Sequence, residues 1–203
     1  THGLEQAKTY ANSQRLNIHF VFASNGHQFV EFDRFTGQTR GPLPMAEFPT
    51  PLELQARYEA GMGFALDAPE ARPLLTPYPG GEFRRRYYQD AAIRAVMEKI
   101  AQCRQRQEPA RALLALATGS GKTFIAVNLL KRLADAGQMT RALFICDRDE
   151  LRTQALGALY AVFGSDAAQA TAANPEKNAR VVVATYQTLG VEGDGDDASY
   201  LTR

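Results

Sequence analysis

The heptapeptide ATGSGKT, residues 117–123, carries the residue types that grip a polyphosphate. Small residues at Thr118, Gly119, Ser120 and Gly121 let backbone N–H groups point at an anion. A helix opening at Lys122 adds the positive end of its dipole. Lys122 then reaches the β- and γ-phosphates, and Thr123 offers its hydroxyl to a magnesium ion. The full pattern for such a loop opens with Gly five residues before Gly121; here that position is Leu116, a departure from it. Upstream, RRRYYQDAAIRAV puts Arg86, Tyr88 and Gln89 at the start of a predicted helix. A glutamine amide can donate to and accept from an adenine edge together, so the expected ligands are ATP and Mg2+.

A phosphate loop works with a carboxylate at the end of a second buried strand, which holds the metal. Asp147 closes the apolar run RALFICD and is one candidate; in that role it would make the chain a compact kinase or nucleotidase. Leu151 and Gln154 on the following helix, and the lack of an arginine-rich lid, favour another reading. A nucleotide-gated binding module without turnover is a third.

These residues need a scaffold that sets strand ends beside helix starts, and residues 82–203 alternate accordingly. A helix is expected at about 89–103, with Ile93, Val96, Met97 and Ile100 on one face. RALLALA, residues 111–117, is a continuous apolar run and predicts a strand buried on both sides. A helix from Lys122, the strand RALFICD, a helix from Glu150 and the strand RVVVATY follow. Strand–helix alternation of this kind implies an α/β fold with a parallel sheet and right-handed crossovers. The tail EGDGDDASY reads as a solvated acidic loop.

Residues 1–40 read as a helix, with Leu4, Ala7, Tyr10 and Ala11 on one face, and a hairpin turning at Asn25-Gly26, both tolerant of positive φ. Such a segment is too small to stand as a domain. Residues 41–81 hold eight of the ten prolines and end in Gly80-Gly81, so they read as a linker. One short helix sits inside, with Pro51 in its first turn and Gly61 as its stop. A net charge of +1 gives no global argument for nucleic acid, although patches are local. Apolar runs fall far short of the ~20 residues of a membrane helix. Cys103 and Cys146 read as small apolar residues of a reducing compartment, the cytoplasm, and the three histidines form no ligand cluster.

In order, RYYQDAAI, LLALATGSGKT, ALFICDRDELRTQA and VATYQTL resemble the motifs of superfamily-2 helicase motors. The chain looks most like the restriction (endonuclease) subunit of type I restriction–modification enzymes. The resemblance implies a RecA-like motor domain preceded by the end of an α/β restriction-nuclease-like domain. It implies ATP-driven DNA translocation and cleavage of unmodified foreign DNA. Arg86, Tyr88 and Gln89 would recognise adenine; Arg148, Thr185, Gln187 and Thr188 would lie along duplex DNA. LEQAKTYANSQRL resembles the end of the nuclease domain, which makes Gln6 and Tyr10 candidate catalytic residues, four apart on one helix face. The partners implied are double-stranded DNA and the methyltransferase and specificity subunits. The nuclease carboxylates and lysine are then expected before Thr1, and the Asp-Glu box after Arg203, so the chain looks like an internal piece of a larger subunit.

Overall fold

A computed structural model describes residues 2–12, 16–77, 86–171 and 178–189. The chain divides into two compact units, Thr1–Ala115 and Leu116–Arg203.

The first unit opens with helix α1 (His2–Asn12). Strands β1 (Phe20–Ser24), β2 (Gln28–Asp33) and β3 (Gln38–Pro44) follow as an antiparallel sheet in that order. On α1, Leu4 and Ala11 are buried, but Tyr10 is 61% exposed. Seven residues return a helix to nearly the same angle and six do not, so Tyr10 leaves the face expected for it. The expected hairpin is present. At its turn only Gly26 takes positive φ, at 88°, while the Asn25 side chain accepts from the N–H groups of His27 (3.0 Å) and Gln28 (2.9 Å). β3 was not legible as a strand because Pro42 and Pro44 read as linker; a sheet edge tolerates both.

The expected linker is folded over its described part, 41–77. Helix α2 (Pro51–Met62) is closed by a capping box, with the Glu53 carboxylate accepting from Thr50 N at 2.7 Å. Pro51 does sit in its first turn, but Gly63, not Gly61, ends it in the left-handed conformation. Gly61 serves packing instead: a β-carbon there would lie within 2.5 Å of Phe35 ring carbons. Arg57 of α2 donates to Glu31 (3.1 Å) and Asp33 (3.0 Å) on β2 and ties the helix to the sheet. A single helical turn, α3 (Arg72–Leu75), precedes helix α4 (Tyr87–Gln105). Met62, Phe64 and Ala71 pack with Ala101 of α4 in one core. Of the apolar stripe expected on α4, Ile93, Val96 and Met97 are buried.

The second unit contains helix α5 (Lys122–Asp135), strand β4 (Ala142–Cys146), helix α6 (Asp149–Phe163), and strands β5 (Ala167–Gln169) and β6 (Val181–Thr185). The sheet is parallel, in the order β4-β6-β5, as the α/β reading requires. Its core joins Val127 and Ala134 of α5 to Ala155 and Leu159 of α6 and to Val181 and Val183. β6 is buried on both faces. β4 is not: Ala142, Phe144 and Cys146 turn inward, while Leu143 and Ile145 are 46% and 39% exposed. The strand expected at 111–117 is absent. Its residues are irregular, Leu113 is 94% exposed, and no strand among the described residues pairs with them. An extended run without a neighbour has no ladder for its N–H and C=O groups. The acidic tail lies outside the described residues.

No described helix is long and apolar enough to cross a membrane.

Candidate functional site

Gly121 is the N-cap of α5, with φ 84° and ψ 37°, and Gly119 has φ 77°. These two left-handed residues turn the chain from the loop into the helix, where a side chain would strain the backbone. A β-carbon at Gly119 would meet nothing within 4 Å, so the loop is open on that side. No side chain caps α5, and its first turn holds no acidic residue. A helix start without a capping side chain or an acidic residue favours an anion. Lys122 Nζ donates to the loop's own carbonyls, Leu116 O at 3.3 Å and Ala117 O at 3.1 Å. An ammonium held by main-chain oxygens over an uncapped helix end suits a polyphosphate. Thr123, half-buried in the first turn, fits a magnesium ion carried with it.

A short connection, 136–141, joins α5 to β4, and both share one core, so α5 runs back along the strand. Its N-terminus thus lies at the carboxyl edge of the sheet, where open α/β folds bind ligands. The other sequence candidates of this unit gather at the same edge. Cys146 and Thr185 are register partners at the ends of β4 and β6. The Gln187 amide donates to Asp147 O at 3.4 Å, and Tyr186 N donates to Cys146 O at 3.3 Å. Arg148 is exposed, its guanidinium 3.8 Å from the Asp147 carboxylate. Gln187 is exposed and Thr188 half-buried. Thr185 differs from the expectation of a DNA-facing hydroxyl: it is 3% exposed, and its Oγ1 bonds Thr188 Oγ1 at 2.9 Å and accepts from Thr188 N. Its place is to shape the turn that presents Gln187 and Thr188.

In the first unit, Arg86, Tyr88 and Gln89 cluster at the start of α4. Gln89 Oε1 accepts from Arg86 N at 3.2 Å, and Arg86 Nη1 donates to Tyr88 Oη at 3.1 Å. Gln89 is largely buried, so the helix start itself holds its amide in place. On α1, Gln6 Nε2 donates to Tyr10 Oη at 3.2 Å, which puts the pair side by side on an exposed face.

Sequence reasoning missed Glu98 on α4, which is 4% exposed. Burial works to raise its carboxyl, but donors on His19, Asn17 and Tyr58 outweigh this and hold it below the usual carboxylate range. Its partners lie 40 to 81 residues away, so no spacing signal could have found them.

Comparison with known proteins places the chain in a family. Residues 82–201 match the family described as the type III restriction enzyme, res subunit. The chain is 29% identical over 200 residues to the EcoAI endonuclease subunit of a type I restriction enzyme from Escherichia coli, covering 95% of this chain. It is 30% identical over 201 residues to the EcoKI endonuclease subunit from Escherichia coli strain K12, covering 88%. The chain spans 23% and 16% of the length of these relatives. A solved fragment described as an HsdR subunit of a type I restriction enzyme from Vibrio vulnificus YJ016 superposes with a TM-score of 0.68 at 30% identity, over 93% of this chain and 33% of that one. The chain therefore belongs to the restriction-enzyme family described by the res subunit, and it resembles type I endonuclease subunits over nearly its whole length.

Proposed function

We propose that this chain is the nucleotide-binding and DNA-facing part of a type I restriction endonuclease subunit, which couples ATP hydrolysis to translocation on DNA and cleavage. The observation that carries the reading is the loop before α5, with two left-handed glycines, no capping side chain, and Lys122 on main-chain carbonyls. Lys122 moves from those carbonyls to the β- and γ-phosphates and neutralises charge that develops on them. The Thr118–Gly121 backbone N–H groups orient the phosphate chain, and Thr123 holds the magnesium ion, which supplies Lewis-acid stabilisation when bound. Arg86, Tyr88 and Gln89 select adenine. Arg148, Gln187 and Thr188 touch the DNA backbone, and such contacts carry no sequence information. Sequence choice then falls to the specificity subunit, with a methyltransferase subunit as the other partner, in the cytoplasm. Residues 1–40, with Gln6 and Tyr10, form the end of the nuclease domain, and residues 82–203 form the first part of the motor.

Lys122→Ala in the full-length subunit tests this. The expected result is loss of DNA-stimulated ATP hydrolysis with an unchanged melting curve. DNA-stimulated hydrolysis that survives the substitution would overturn the reading.

A further inference from the structure

Gln6 and Tyr10 stand on α1, a helix that packs lightly. Over residues 3–11 only Leu4 and Ala11 are buried, and Lys8 Nζ lies 4.7 Å from the centre of the Phe32 ring. Leu4 and Ala11 share one narrow stripe. Such a stripe chooses the face that turns inward, but it resists a small roll or slide of the helix only weakly. The helix also lacks a cation of its own, since no basic residue stands in its last turn. The last four carbonyls of a helix have no partner within it, and they form the negative end of the dipole. Arg34, just past the end of β2, supplies the missing charge. Its Nη1 donates to Ala11 O at 3.0 Å and to Ile18 O at 2.9 Å. Its own N–H donates to His19 O at 3.0 Å, which fixes the residue beside the entry to β1.

Ile18 O is itself an anchored point. Arg94 of α4 holds the two carbonyls before it, Leu16 O at 2.9 Å and Asn17 O at 2.6 Å. Asn17 has φ 47°, in the left-handed region, and its amide donates to the buried Glu98 carboxylate at 2.7 Å. One guanidinium nitrogen of Arg34 therefore locks the end of α1 to a held stretch of main chain that leads into the sheet. Ala11 directly follows Tyr10 and lies about 7.5 Å along the helix axis from Gln6. A shift at Ala11 is thus passed to both residues. Their mutual bond, Gln6 Nε2 to Tyr10 Oη at 3.2 Å, makes the two side chains move together. Placement matters for chemistry on a phosphodiester, where an error of about 1 Å can cost about a hundredfold in rate.

We propose that Arg34 is a positioning residue for DNA cleavage, which sets Gln6 and Tyr10 by holding the last turn of α1 against the entry to β1. The proposal rests on the reading of that pair as part of the nuclease. It is tested in the full-length subunit within its assembled restriction complex, by single-turnover DNA cleavage and by DNA-stimulated ATP hydrolysis. Arg34→Met keeps an unbranched stem and removes both bonds. It is expected to slow cutting about tenfold or more and to leave ATP hydrolysis at the wild-type rate. Both bonds leave from one nitrogen, so an ammonium can make them, and Arg34→Lys is expected to recover most of the cutting rate. In a Tyr10→Phe background, Arg34→Met is expected to add little. Loss of ATP hydrolysis together with cutting would mark a role in the fold alone and overturns the proposal. Cutting by Arg34→Lys no faster than by Arg34→Met overturns it as well. Gln6→Ala and Tyr10→Phe separate the two readings. If they slow cutting while Arg34→Met does not, the role of the pair stands and the positioning role falls. If they cut at the wild-type rate, the role of the pair falls and the positioning role with it.

Discussion

Lys122 donates to two carbonyl oxygens of its own loop, bonds in which only the donor carries a charge. Against a phosphate both partners are charged, and the helix end adds to the attraction, so the exchange runs towards the ligand. The loop's residue types made this legible in the sequence. Thr185 was less so, since a hydroxyl at a strand end reads alike whether it faces solvent or a neighbour 2.9 Å away. Arg148 differs from it in being exposed, with Asp147 as its near charge. An exposed guanidinium on a phosphate acts without regard to sequence. Arg148→Ala in the full-length subunit is expected to weaken DNA by one common factor on unrelated duplexes. It should also lower the slope of log K against log salt by about one. Filter binding over a salt series checks this, and an unchanged slope would count against a phosphate contact.

The elements with strong periodicity were readable from the residues. α5 begins at Lys122 as expected, α6 begins one residue before the expected Glu150, and β6 carries the valine run. Elements that depend on distant partners were not. β3 exists because β2 offers it a ladder, and the segment 41–77 folds because α4 supplies a core for it. Gly61 shows the same limit inside a helix. Its sequence context suggested a stop, but its use is to admit the Phe35 ring, which stacks on His19 at 4.7 Å and meets Tyr58 edge-on. Two effects oppose each other in Gly61→Ala. Helix propensity favours alanine by roughly 0.5–1 kcal/mol, while overpacking costs about 1–3 kcal/mol. The β-carbon would meet ring carbons near the base of the side chain, so the whole aromatic stack must move and overpacking dominates. Urea denaturation is expected to show a net loss of stability; a gain would mean that the stack yields freely.

At the scale of the molecule, the second unit's sheet is apolar where it is open. Leu143 and Ile145 turn away from the α5–α6 core, and the outer side of β4 has no paired strand among the described residues. The run at 111–117 is likewise apolar, extended in composition and exposed. An open parallel edge and a bare apolar face are both unfavourable in water, since parallel sheets are normally covered on both faces. Curated relatives are several times longer than this chain, which covers 23% and 16% of them. The expectation is that other parts of the full-length subunit pair with β4 and with 111–117 and cover Leu143 and Ile145. Amide hydrogen exchange distinguishes the two situations. In this chain alone, amides at 112–116 should exchange at nearly the unprotected rate, while those of β6, paired on both sides, are slow. In the full-length subunit, 112–116 should become as slow as β6. Equal, fast exchange of 112–116 in both proteins would mean that the run is a true connector, and that the phosphate loop is anchored through α5 alone.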